Sequence, residues 1–383
     1  MAGFGDIPAG LARQRPSAWA KGAPRTAASA SRLQEISDFG ANPGALRMLA
    51  YAPPGLAPGA PLVVVLHGCT QTADAYESHA GWTKLADRDR FAVLYPEQKR
   101  SNNPQGCFNW FLSADTARGL GETRSIREMI DTAITTFSSD RGRVFVTGLS
   151  AGGAMASALL ADYPEVFAGG AIIAGLPCGA AASMGEAFEA MSRPAERSAA
   201  ELGDRVRAAS THKGPWPKIS IWHGGADSTV VPRNAEALAR QWTDVHGVAL
   251  EDFREETTGT HRRRVWSVAG QEVVELTTIP GMGHGTPLDG AEGERKGPFM
   301  LDVGLSSTRR IAAFWGVSKP HAAASPATRP AALKPSASAP REAVNPRSTP
   351  RPAAAAARPE APPPSFDVGS VISRALKAAG LMK

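Results

Sequence analysis

The sequence predicts an α/β fold, a mostly parallel sheet with helices on both faces. Three observations carry this. Short unbroken apolar runs recur at Leu62-Val-Val-Val-Leu66, 91–95, 170–174 and 218–222, the pattern of strands buried on both faces. Stretches with helical spacing lie between them, as in Ile126, Met129, Ile130, Ala133, Ile134 and Phe137. Finally, Arg143-Val-Phe-Val-Thr-Gly-Leu-Ser-Ala-Gly-Gly-Ala-Met-Ala156 has the pattern of a buried strand, a tight turn and a small-residue helix.

The 383 residues, 43% of them hydrophobic, suffice for a sizeable core, and one α/β unit runs to about 250 residues or more. The net charge of +6 is unevenly placed. Residues 1–32 hold five basic residues and one acid, residues 319–365 seven and two, and residues 366–383 three and one, which leaves residues 33–318 at −5. The basic character belongs to the ends, so a basic groove for nucleic acid is not expected. No run of about eighteen apolar residues is present, so no transmembrane segment is expected. Residues 1–32 lack the apolar core of a secretory signal and are expected to be a flexible basic leader, with a cytoplasmic location.

In chain order, a first strand is expected to end at Met48-Leu-Ala-Tyr51, followed by a turn through Pro53, Pro54, Gly55, Pro58 and Gly59. The strand at 62–66 leads into His67-Gly-Cys-Thr-Gln71, and a helix through Trp82, Leu85 and Ala86 precedes the strand at 91–95, stopped by Pro96. Residues 101–111 mix turn formers with aromatics and are expected to loop over the sheet edge. Ser125-Ile-Arg-Glu128 matches a capping box and is expected to open the next helix. Past the central turn come a strand at 170–174, short Ala-rich helices over 180–217 forming a small cap, a strand at 218–222 and a helix over about 233–242. Residues 265–279 give two strand-like runs around Ala269-Gly270, and a helix over 307–315 closes the domain, set at 33–318. Residues 319–365 are Ala, Pro, Ser and Arg with few large apolar residues, the composition of a disordered linker. Residues 366–383 have the spacing of one short amphipathic helix.

Gly148-Leu-Ser150-Ala-Gly152 places a serine in a turn that only glycine-flanked backbone can make, at the N-terminus of a helix whose free N–H groups face developing negative charge. A serine hydroxyl is too weak an acid to attack an ester unaided and needs a base. His284, flanked by Gly281, Gly283 and Gly285 after a strand, and Asp227, after the 218–222 strand, supply a base and its partner. The order Ser150, Asp227, His284 is that of hydrolases built around such an elbow. Two N–H donors for an oxyanion are expected at Ala151 and at Cys69, the latter through its backbone. His67 is expected to be a turn residue rather than a second base. Phe108, Trp110 and Phe111 either line the acyl or alcohol pocket or cover core, while Trp222 and Trp266 are assigned to the core. Three cysteines exclude a disulfide scaffold and a zinc-type pair. Cys178 has the setting of a buried small hydrophobe, and Cys69 with Cys107 is a pair able to bridge in an oxidising compartment.

Together, His67-Gly-Cys-Thr-Gln71, Cys107-Phe-Asn-Trp110, Gly148-Leu-Ser-Ala-Gly152, His223-Gly-Gly-Ala-Asp227 and Gly283-His-Gly-Thr-Pro287 resemble the esterases of the poly(3-hydroxybutyrate) depolymerase family, which is also similar to feruloyl and acetyl-xylan esterases. The resemblance spans about residues 46–315. It implies an α/β-hydrolase fold, no cofactor or metal, and ester hydrolysis through Ser150, Asp227 and His284. It further implies that Trp110 contacts substrate, that Cys69 pairs with Cys107, and that the protein acts outside the cell as the alternative location. The expected substrate is a poly- or oligo-(3-hydroxyalkanoate). The second expectation is a feruloyl or acetyl-xylan type carbohydrate ester. The third is a non-catalytic granule- or partner-binding role carried by the tail.

Overall fold

The computed structural model describes residues 31–319. The leader through residue 30, the linker from residue 320 and the helix expected over 366–383 lie outside the described residues. Ten strands form one sheet: β1 (Gln34–Ile36), β2 (Arg47–Tyr51), β3 (Leu62–Leu66), β4 (Ala92–Glu97), β5 (Val144–Leu149), β6 (Gly169–Ile173), β7 (Lys218–Gly224), β8 (Arg254–Thr258), β9 (His261–Val268) and β10 (Gln271–Ile279). Their spatial order is β1-β2-β4-β3-β5-β6-β7-β10-β9-β8. The run from β4 to β10 is parallel, and antiparallel pairs extend it at both ends.

Every residue of β3, β5 and β6 is buried, because helices cover both faces of the sheet. Side chains alternate along a strand, so Leu62, Val64 and Leu66 point to one face, while Val63 and Val65 point to the other. The first face packs against α4 (Gly121–Phe137), α5 (Ala151–Asp162) and α8 (Arg233–His246) through residues such as Ile126, Met155 and Leu238. The second packs against α1 (Ala73–Ala80), α2 (Trp82–Asp89) and α9 (Ser307–Phe314) through Tyr76, Trp82 and Ile311. Each fully buried Val or Leu contributes roughly 1.5–3 kcal/mol. Trp315 fixes the end of α9 by stacking on Phe145 at 5.0 Å and on Trp82 at 6.0 Å. Trp222 and Trp266 are buried, as expected. Short elements complete the described chain: α3 (Ser113–Thr116), α6 (Met184–Ser192), α7 (Ala199–Ala209), a 3₁₀ turn (Gly290–Glu292) and a pair of parallel strands, β11 (Thr286–Leu288) and β12 (Met300–Asp302). Among the described residues no helix is long and apolar enough to cross a membrane.

Several local expectations are corrected. Helix α4 begins at Gly121, one turn before the Ser125-x-x-Glu128 match. Both residues are used elsewhere: Ser125 Oγ takes the Gly44 N–H at 2.8 Å, and Glu128 takes the Asn42 N–H at 2.8 Å. Strand β4 continues through Pro96 to Glu97. Its pairing with β3 ends at Leu94, and only β2 lies beside Pro96, so the missing N–H breaks no bond to β3. Strands β1 and β8 carry too few apolar residues for the hydrophobic pattern to reveal them. The Ala269-Gly270 hairpin takes φ of 50° and 79°, the left-handed pair that suits a two-residue turn between twisted strands.

Gly148, near the end of β5, is tied to this packing. A Cβ there would lie 2.3 Å from Gly152 O, a backbone atom that cannot swing aside. Gly148→Ala is expected to destabilise the fold by about 1–3 kcal/mol, the cost of overpacking, read as a lower urea midpoint with unchanged slope.

Candidate active site

Strand β5 delivers Ser150 at a forced turn. Ser150 takes φ 57° and ψ −116°, a conformation that costs a non-glycine residue about 1–3 kcal/mol and persists only where surroundings impose it. Its N–H donates to Ile173 O of β6 at 2.9 Å, which leaves the Ala151 N–H one residue on, at the open start of α5. Gly152 lets α5 approach the end of β3: a Cβ there would sit 2.5 Å from both Leu66 O and His67 O.

The opposite wall is made by the loops after β7 and β10. Two backbone bonds join them, Gly225 N–H to Ile279 O at 2.8 Å and Ala226 N–H to Met282 O at 2.9 Å. Asp227 is buried, and its Oδ2 accepts from His284 Nδ1 at 2.7 Å. Its Oδ1 accepts the Thr229 and Val230 N–H groups, each at 2.9 Å. An ionised carboxylate only accepts, so His284 Nδ1 is the donor of this bond, and in the neutral imidazole Nε2 is then the acceptor. Asp227 therefore both shapes its own turn and orients an imidazole.

Ser150 and His284 line one cleft, with Cys69, Ala151 and Trp110 also in its wall. Of the residues expected at the site, these five share the cleft, and Asp227 reaches it through His284. Cys69 is held between fixed neighbours: the Gly68 N–H donates to Gln71 Oε1 at 2.9 Å and the Thr70 N–H to Gln105 O at 2.7 Å. Cys69 and Cys107 are joined in a disulfide, which ties this turn to the aromatic loop. The aromatics divide in role. Phe108 and Phe111 are buried, whereas Trp110 faces the cleft. His67 is buried and structural: its Nδ1–H donates to Gly68 O at 2.8 Å, and its Nε2 accepts the Gln98 N–H at 3.1 Å. Burial holds its pKa below the ordinary histidine value. Cys178 is half-buried against the core, its N–H donating to Gln241 Oε1 at 3.0 Å.

The sequence reading missed Leu176, Met191, Thr229, Val230 and Phe299, which also line the cleft. They come from separate loops and from α6, with no shared spacing to mark them. It also assigned no role to His223, although it stands four residues before Asp227. His223 Nε2 donates to Val230 O at 2.8 Å and lies 3.5 Å from Asp227 Oδ2, so it braces the turn that carries the carboxylate.

Beneath the aromatic loop lies Glu122, buried. One carboxylate oxygen accepts the Asn109 N–H at 2.8 Å, and the other accepts from the amides of Asn109 and Gln98. Burial pushes its pKa up to about 8 despite the Asn109 and Gln98 donors, and the nearby Asp115 charge adds to the rise. Burial likewise raises Asp162 to about 7 and Glu294 to about 7. Among the described residues no group of acidic, His and Cys side chains is placed to hold a metal.

The family model described as esterase PHB depolymerase matches residues 46–265. A poly(3-hydroxyalkanoate) depolymerase C of Paucimonas lemoignei is 45% identical over 298 residues, covering 76% of this chain and 72% of that protein. An acetylxylan esterase of Coprinopsis cinerea is 32% identical over 281 residues, covering 71% of this chain and 74% of that protein. Among solved structures, the acetyl xylan esterase from Aspergillus awamori matches with a TM-score of 0.65 at 26% identity, covering 75% of this chain and 99% of that one.

Two outcomes are expected from this geometry. The Cys69–Cys107 bond spans a sequence separation of 38, and its loss is expected to cost about 4 kcal/mol through the freed unfolded chain, measured as the drop in unfolding free energy of Cys107→Ser against wild type. The second concerns pH. Glu122, Asp162 and Glu294 keep protons in the fold that the unfolded chain has already released, so the folded state binds more protons between about pH 5 and pH 8 and stability falls as pH rises through that window. Glu122→Gln is expected to make that decline shallower in urea titrations at several pH values.

Proposed function

Because this chain belongs to the poly(3-hydroxybutyrate) depolymerase family of esterases, with an α/β-hydrolase fold, and is therefore a carboxylic ester hydrolase, we propose that it cleaves poly- or oligo-(3-hydroxyalkanoate) esters through Ser150, His284 and Asp227. The observation that carries the mechanism is the 2.7 Å contact from His284 Nδ1 to Asp227 in a cleft shared with Ser150. His284 Nε2 takes the proton of Ser150 Oγ as the oxygen attacks the ester carbonyl carbon, and Asp227 stabilises the imidazolium that forms. The carbonyl oxygen gains negative charge, for which the Cys69 and Ala151 N–H groups are the proposed donors. Collapse of the tetrahedral intermediate breaks the bond to the alcohol oxygen, which leaves with the proton from His284. Water then attacks the acyl-enzyme by the same route and frees the acid and Ser150.

The polyester substrate is supported by the 45% identical relative, whose name is that of a poly(3-hydroxyalkanoate) depolymerase. Trp110 in the cleft wall supports the substrate contact implied by the family resemblance. A carbohydrate ester is the second reading, favoured by the likeness to acetylxylan esterases. The Cys69–Cys107 disulfide supports an oxidising compartment as the place of work.

Release of 3-hydroxybutyrate from its oligomers is expected with wild type and is expected to vanish with Ser150→Ala. Asp227→Asn is expected to lower kcat by roughly 10⁴-fold, because it misplaces the His284 proton. Wild-type silence on the oligomers, with cleavage of acetylated xylan, would move the substrate to the second reading.

A further inference from the structure

A second cavity, of about 520 Å³, adjoins the catalytic cleft, and the Trp110 ring lines both. The chain crosses from one to the other at Leu176, which lines the cleft, and Pro177, which lines the cavity. Ala154, one helical turn after Ser150, also lines the cavity and packs against Leu176 and Val230 of the cleft. Trp110 is thus the wall common to both spaces, and a chain seated over Ser150 would have to pass it to enter this one.

The cavity has two chemical characters. One wall is made of small apolar groups, among them Ala158, Ala181 and Ala209, which suit short methyl branches. The outer wall carries Arg197 and Arg205. Among the described residues neither lies within ion-pair distance of a carboxylate, although both act electrostatically on Glu201, and Arg205 spends one donor on Gly179 O at 2.6 Å. The third arginine, Arg118, is committed to Glu165 at 2.6 Å. Of the carboxylates that line the cavity, Glu186 accepts the Ala182 N–H at 2.8 Å, and Asp162 is buried at its floor with Oδ2 free of hydrogen bonds among the described residues.

We propose that this cavity is a subsite for the free-carboxylate end of a short 3-hydroxyalkanoate oligomer, read by Arg197 and Arg205, so that the enzyme prefers oligomers whose acid end is unblocked. The inference rests on the polyester reading above. Orientation follows from the chemistry of the chain. In such an ester, the unit that leaves as the alcohol is the one that continues toward the carboxyl terminus. The cavity therefore takes the leaving side: water supplies hydroxide to the acyl carbon and a proton to the departing oxygen, and the released fragment carries both the new hydroxyl and the bound carboxylate. An arginine pair suits that carboxylate, since guanidinium presents planar, paired donors that stay charged. A xylan chain instead offers rows of hydroxyls, which an alanine-lined wall does not satisfy.

The test compares the linear trimer of 3-hydroxybutyrate with a free carboxylate against the same trimer as its methyl ester. The ratio of their kcat/KM values is measured for wild type, Arg197→Gln and the Arg197→Gln/Arg205→Gln double variant, with thermal midpoints as a fold check. Wild type is expected to favour the free acid, mainly through KM, and the ratio is expected to fall roughly tenfold in the double variant, the size of one lost hydrogen bond to a charged group. Arg197→Gln alone is expected to move the ratio the same way, which keeps the test usable if the double variant folds poorly. Equal rates on both trimers in wild type, or an unchanged ratio in a folded variant, would overturn the subsite and leave the polyester reading standing. Cleavage of p-nitrophenyl acetate with neither trimer cleaved would overturn the polyester reading and the subsite with it.

Discussion

The constraint on which the site depends is the close passage of the start of α5 against the end of β3. Gly152 stands where any side chain would meet the carbonyls of Leu66 and His67 at 2.5 Å. That approach holds Ser150 in its left-handed turn, and it brings the first free N–H of α5 beside the chain that continues from His67 into Cys69. Ser150 and the candidate oxyanion donors are therefore positioned by one backbone contact rather than by separate devices. His67, neutral and hydrogen-bonded on both ring nitrogens, pegs the same corner to Gln98.

The remaining loops are restrained in two ways. The Asp227 and His284 loops are laced together by main-chain bonds, and Asp227 closes its own turn with two more. The aromatic loop is joined by one main-chain bond, Thr70 N–H to Gln105 O, to the turn that carries Cys69. It is fastened by the Cys69–Cys107 bond above and by the buried Glu122 below, whose carboxylate takes both the main chain and the side chain of Asn109. Burying a carboxyl that titrates near neutrality is costly, and here it positions the residue next to Trp110.

Much of this was legible in the sequence because the decisive signals are local. A serine between glycines after a β-branched strand has few structural options, and unbroken apolar runs such as 62–66 mark strands covered on both sides. What stayed hidden depends on tertiary contact. Ser125 and Glu128 look like a helix start, yet the backbone of residues 42 and 44 claims them. Pro96 looks like a strand stop, but stopping matters only where a neighbour needs its N–H. The polar strand Arg254-Glu-Glu-Thr-Thr258 has no apolar face to betray it, and Leu176, Met191 and Phe299 meet at the cleft from distant parts of the chain.

That polar strand has a consequence for how copies of the molecule behave beside one another. β8 is the last strand of the sheet on its side, so among the described residues one side of its backbone has no neighbouring strand. Arg254, Glu255 and Glu256 follow one another along it. They pair across to β9 and β10, where Arg263 bridges Glu256, Glu272 and Glu275. A second sheet edge docking there would have to strip water from these charges, and the resulting penalty opposes strand-to-strand stacking between molecules. The charges along this border thus oppose the edge-to-edge contact that a bare sheet edge would invite.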